Sequence, residues 1–74
     1  MAGITREIEA TYGAIGTSAG GWDKTLNLIS WNGGQAKYDL RDWAPDGSKC
    51  GKGITMTKAE IVTLRDLLNT MKLD

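Results

Sequence analysis

Seventy-four residues, with nine Lys+Arg against nine Asp+Glu, make one small domain of formal net charge zero. A chain this short buries only about 60% of its unfolded surface, so its own core stabilises it marginally and a homodimer is expected. A single cysteine excludes an internal disulfide, the lack of histidine argues against a metal site, and the neutral total lacks the basic footprint usual in nucleic-acid binders. The sequence shows no basic-then-apolar leader and no apolar run near the ~18 residues of a membrane span, so a cytosolic protein is expected, with its thiol reduced.

Residues 1–6 carry no strong signal and are expected to fray. Over residues 6–15, Ile8, Ala10, Tyr12 and Ala14 alternate with Glu7, Glu9, Thr11 and Gly13, the period of a half-buried strand. Ile15 falls on the wrong parity. A helix over residues 5–12 is the competitor, and Gly13, Gly16 and the β-branched residues weigh against it. Residues 16–21, all small, predict a loose connection.

A second strand is predicted over residues 22–31, with Leu26 and Leu28 on one face and Asn27, Ile29 and Trp31 on the other. Asn32-Gly33-Gly34 supplies the positive backbone angles of a tight hairpin. In the third strand, residues 36–43, Leu40 is expected in the core, while Lys37, Asp39, Arg41 and Trp43 share the opposite face. Pro45-Asp46-Gly47 ends it, and the basic run from Lys49 to Lys52 leads into a short strand over residues 52–56, with Ile54 and Met56 inward.

Thr57 and Glu60 have the spacing of a capping box, opening a helix over residues 58–72. Ile61, Leu64, Leu68 and Met71 recur at helical spacing and Leu67 widens the stripe. One side of that helix can cover the sheet, and the rest of the stripe, Leu64, Leu67, Leu68 and Met71, can seam two copies together. The fold class is α+β: four antiparallel strands, then one helix.

The chemistry-bearing stretch is residues 26–57, where Trp31, Tyr38 and Trp43 are interleaved with Lys37, Arg41, Lys49 and Lys52 on what is expected to be one surface. Aromatic faces for bases and cations for phosphates are what a protein needs to hold one nucleic-acid strand with little sequence preference. The plainer alternatives are core tryptophans and a solvated ladder of Lys37, Asp39 and Arg41. The shared parity of Trp43 with Lys37 and Arg41 favours an accessible stacking ring.

Residues 47–52 look superficially like a phosphate-binding P-loop. They are one residue short between the glycines, and Gly53 stands where a metal-holding Ser/Thr is required. Cys50 has no histidine base, and Asp39 and Asp42 lie on opposite strand faces, so neither a nucleophile nor an acid–base pair is in place. No enzyme activity, cofactor or metal is expected.

The segments SWNGGQAKYDLRDW and GKGITMT, followed by a helix, resemble the positive cofactor four family of transcriptional coactivators, most closely its bacterial YdbC-like branch. The likeness covers about residues 11–68 with the motif order kept. It implies a curved β-β-β-β-α sheet in a two-fold dimer that grips single-stranded DNA. By position it implies contacts from Arg41, Trp43, Lys49 and Lys52, then Trp31, Asn32, Lys37 and Tyr38 in the hairpin, and Lys24 at the second strand's start. Animal members carry a Ser- and Lys-rich N-terminal region that this sequence does not show, so phosphorylation control is not expected. Single-stranded RNA is the alternative ligand. A protein–protein adaptor docking transcription or replication proteins is the alternative function, and the zero net charge is what favours it.

Overall fold

A computed structural model describes residues 5–74. Its elements are β1 (Arg6–Thr17), β2 (Asp23–Trp31), β3 (Lys37–Trp43), β4 (Cys50–Met56) and α1 (Lys58–Thr70). The strands form one antiparallel sheet in the order β1-β2-β3-β4, so each connection is a hairpin and the predicted class stands. Of the segment expected to fray, residues 1–4 lie outside the described residues, and Arg6 already begins a strand.

The turns follow from their residues. Asn32 (φ 54°) and Gly33 (φ 74°) are left-handed in succession, and the Gly34 N–H donates to the Trp31 carbonyl at 2.9 Å. Consecutive positive φ angles match the twist of a strand pair, which is why Asn-Gly is favoured there. The loop expected over residues 16–21 is shorter and tied down. β1 runs to Thr17, the Ser18 N–H donates to the Trp22 carbonyl (2.8 Å), and the Gly21 N–H donates to the Ser18 carbonyl (2.9 Å). After β3, the Ser48 N–H and hydroxyl both donate to Asp46 (2.9 and 2.7 Å), holding that carboxyl below the usual carboxylate range.

β1 does not keep the even alternation expected of it. Its register against β2 shifts between Ile8 and Ala10, Thr11 and Gly13, and Ala14 and Gly16. Each extra residue bends the strand and swaps which face the next side chain takes. That explains Ile15: the bulges bring it onto the face where Leu26, Leu40 and Leu68 lie.

Curvature decides where the core sits. Arg41 pairs with Thr25, six positions along β2 from Trp31, a span of about 20 Å in a flat sheet. Yet the Arg41 guanidinium carbon lies 4.7 Å from the centre of the Trp31 ring. The sheet is therefore curled, and its odd-numbered β2–β3 face lines the inside. Ile29 and Asp39 are fully buried there, with Asn27 and Trp43 nearly so.

This inverts part of the expected core. Leu40 is only half-buried, on the other face, under α1. Met56 is buried as expected, but Ile54 is 56% exposed. The capping box forms: Thr57 Oγ1 accepts from the Glu60 N–H at 3.1 Å, and Glu60 Oε1 accepts from the Thr57 N–H at 2.8 Å. A side-chain cap of this kind contributes about 1 kcal/mol. The helix ends at Thr70 with Met71 as its C-cap, short of the expected residue 72, and no residue of it is fully buried. The apolar sheet face and the helix stripe are thus left partly open.

Candidate nucleic-acid interface

Inside the curl, β3 presents Asp39 and Arg41 on one face because alternate residues share a side. The Arg41 Nε donates to Asp39 Oδ1 at 2.7 Å, and its Nη2 lies 2.7 Å from Oδ2, an ion-pair contact without hydrogen-bond alignment. The Asp39 side chain is fully buried and that of Arg41 is 15% exposed, so the pair is largely removed from water. Burial by itself lowers the Arg41 pKa. The hydrogen bond and charge of Asp39, with help from Cys50, outweigh it, and the guanidinium is held charged more firmly than in free arginine. Its Nη1 approaches the Gly51 carbonyl at 3.4 Å, and its guanidinium carbon lies over the Trp31 ring.

β4 brings the next cation. Arg41 pairs with Gly53 and Trp43 with Cys50, so β4 carries one residue more than β3 between those pairs. That bulge re-aims the chain at Gly51 and Lys52. The result is an open hollow of about 510 Å³ lined by Arg6, Trp31, Arg41, Cys50, Gly51 and Lys52. No carboxylate is in its lining. Among the described residues, the ion pairs join Lys24 to Asp42 and Arg65 to Asp66, both at 3.1 Å, besides Arg41 to Asp39. The zero net charge therefore hides a local excess of positive charge.

Three of the residues expected at the site, Trp31, Arg41 and Lys52, meet in this hollow. Trp43 shares the face but not the exposure expected of it. It is 7% exposed, with the Arg6 guanidinium 5.0 Å from its ring centre, because the curl turns that face inward. Tyr38 is on the opposite face, paired with Leu28 and Met56 and stacked on Tyr12 with ring centres 5.9 Å apart. Lys24 is on that opposite face too, tied to Asp42. Lys37 lines a separate depression beside Tyr38 and Lys58. Lys49 is exposed in the loop before β4, its carbonyl accepting from the Ala44 N–H at 2.9 Å. Asn32 uses its side-chain oxygen to accept from the Thr5 N–H at 2.9 Å, which pins the start of β1 beside the hollow.

Sequence reasoning missed Arg6, and the bulges are why. Counting back from the Thr17–Asp23 pair without them places Glu9 opposite Trp31, since 17 + 23 − 31 = 9. Three extra residues in β1 move the true partner to Arg6. Nothing in the periodicity announces the number of bulges.

A sequence model of the family described as Transcriptional Coactivator p15 (PC4) matches residues 18–67 of this chain. A protein of Treponema pallidum (strain Nichols), described as an uncharacterized protein, is 57% identical over 68 residues, spanning 92% of this chain and 80% of its own length.

Proposed function

Since this chain belongs to the transcriptional coactivator p15 (PC4) family, we propose that it binds single-stranded DNA with little sequence preference, as a homodimer in the cytosol and without a chemical step or cofactor. The carrying observation is the hollow in which Trp31, Arg41 and Lys52 meet with no carboxylate in the lining. Phosphates of the strand meet Lys52 and the outer edge of Arg41, with Lys49 at the approach. Bases lie along the Trp31–Arg41 stack, since a guanidinium plane offers a base a face as an indole does. A stacked base is worth about 1–3 kcal/mol whatever its identity, so preference is broad. Duplex DNA hides those faces and binds more weakly.

The test is fluorescence anisotropy of labelled oligo-dT of about 20 nucleotides at two salt concentrations, beside the matching duplex and an RNA oligomer. Each phosphate contact contributes about 0.7 to the slope of log K against log salt for a single strand. Lys49→Ala/Lys52→Ala is expected to weaken binding at least tenfold and flatten the slope by about 1.4. Binding that ignores both salt and these substitutions would end this reading and favour an adaptor docking through apolar contacts.

The dimer part of the proposal draws on apolar surface left uncovered. Ile54, Leu67, Leu68 and Met71 are 44–57% exposed, and the half-buried Leu64 lines apolar depressions with Leu67 on one side and Leu68 on the other. A second copy would cover this surface and set two hollows in one particle, raising the effective affinity for a long strand. Sedimentation equilibrium is expected to give twice the chain mass, with Leu68→Lys shifting it toward the monomer. A wild-type monomer at tens of micromolar removes this part.

A further inference from the structure

The geometry points to Arg6 as a phosphate-binding residue of the hollow, completing with Arg41 and Lys52 a three-cation site for a phosphate group. This rests on the functional reading above but has a readout independent of it. Arg6 lies outside the matched residues 18–67, at the start of β1.

Three observations place it. First, Arg6 pairs across the sheet with Trp31 and lines the same hollow as Arg41 and Lys52. Second, its guanidinium carbon lies over the Trp43 ring, 5.0 Å from the centre, as that of Arg41 lies over Trp31 at 4.7 Å. Each of the two arginines that line the hollow thus has an indole beneath its guanidinium carbon. A cation held over an aromatic ring is biased toward that position, and its N–H donors remain able to meet an anion. Third, the backbone beside Arg6 is clamped: the Asn32 N–H donates to the Thr5 carbonyl at 2.8 Å, and Asn32 Oδ1 accepts from the Thr5 N–H at 2.9 Å.

Arg6 also differs from Arg41 in what it has left to give. Arg41 spends Nε and Nη2 on Asp39. Among the described residues Arg6 makes no ion pair and no side-chain hydrogen bond, so its donors remain for a ligand. Arg41, its charge offset by Asp39, contributes its outer edge, and Arg6 and Lys52 supply the charge that no carboxylate offsets.

The experiment compares wild type, Arg6→Ala and Arg6→Lys in two assays. In the first, oligo-dT affinity is measured across salt. Arg6→Ala is expected to bind about fivefold to tenfold more weakly, with the slope reduced by about 0.7. Arg6→Lys is expected to keep the slope but expose Trp43, read as increased acrylamide quenching of tryptophan. In the second assay the probe is inorganic pyrophosphate, and the readout is alkylation of Cys50, which lines the hollow. Millimolar pyrophosphate is expected to slow alkylation severalfold in wild type and not in Arg6→Ala.

Wild-type affinity and slope in Arg6→Ala would overturn the assignment while leaving single-strand binding in place. Should wild type bind no oligonucleotide, the functional reading fails instead. Arg6-dependent protection by pyrophosphate would then still support the three-cation site, and no protection would overturn it.

Discussion

Asp39→Ala is expected to cost about 3 kcal/mol of stability, toward the lower end of the range for breaking a buried ion pair. The substitution leaves the Arg41 guanidinium, only 15% exposed, with neither Nε nor Nη2 paired to a carboxylate. A domain of this length has on the order of 4–11 kcal/mol in total, so the loss is a large share of it. The check is a urea titration followed by tryptophan fluorescence, where the midpoint should fall by about 3 M if the slope is near 1 kcal/mol/M. The double variant Asp39→Leu/Arg41→Met should recover most of that loss, because an apolar pair of similar size removes the unpaired charge. It should not recover nucleic-acid binding. A single variant as stable as wild type would mean that water reaches the pair and the curl is looser than described.

Gly53→Ala is expected to be comparably damaging for a steric reason. Gly53 pairs with Arg41 where β4 lies flush against β3, and an added Cβ would fall on Arg41 Cβ and the Leu40 carbonyl oxygen. Both are held in place, one by the strand and the other by the ladder, so relief requires β4 to move away. About 3 kcal/mol, the upper part of the usual range for overpacking, is expected, with a matching drop in the urea midpoint. Oligonucleotide affinity should fall as well, because Lys52 is the neighbouring residue and moves with the strand. A midpoint within about 0.5 M of wild type would contradict the close approach.

Local signals in this chain were legible because their chemistry is local. Asn32-Gly33 makes its own left-handed turn, and Thr57 with Glu60 makes its own cap, whatever the remainder does. Strand parity correctly grouped Asp39, Arg41 and Trp43 on one face. What parity cannot convey is whether a face looks outward or into a curl, since that depends on bulges summed over a sheet. Trp43 was read as an accessible ring for this reason, and it is Ile29, Asp39 and Trp43, not Leu40, that are buried. Tyr38 was misplaced more simply: it has the opposite parity to Arg41, and its neighbours in composition obscured that. Arg6 stayed hidden because three bulges separate its sequence position from its place beside Trp31.

Those bulges have a consequence for solubility. β1 is a twelve-residue edge strand, nearly all exposed, with Ile8, Tyr12 and Ile15 among its uncovered side chains. A long, flat, apolar edge of this kind would be a template onto which another chain could add strand by strand, toward fibrils. Three interruptions leave no run of more than a few residues with its free N–H and C=O groups in ladder spacing. Removing them by deletion would straighten the edge, and with it would come the hazard of aggregation that the irregular strand holds off.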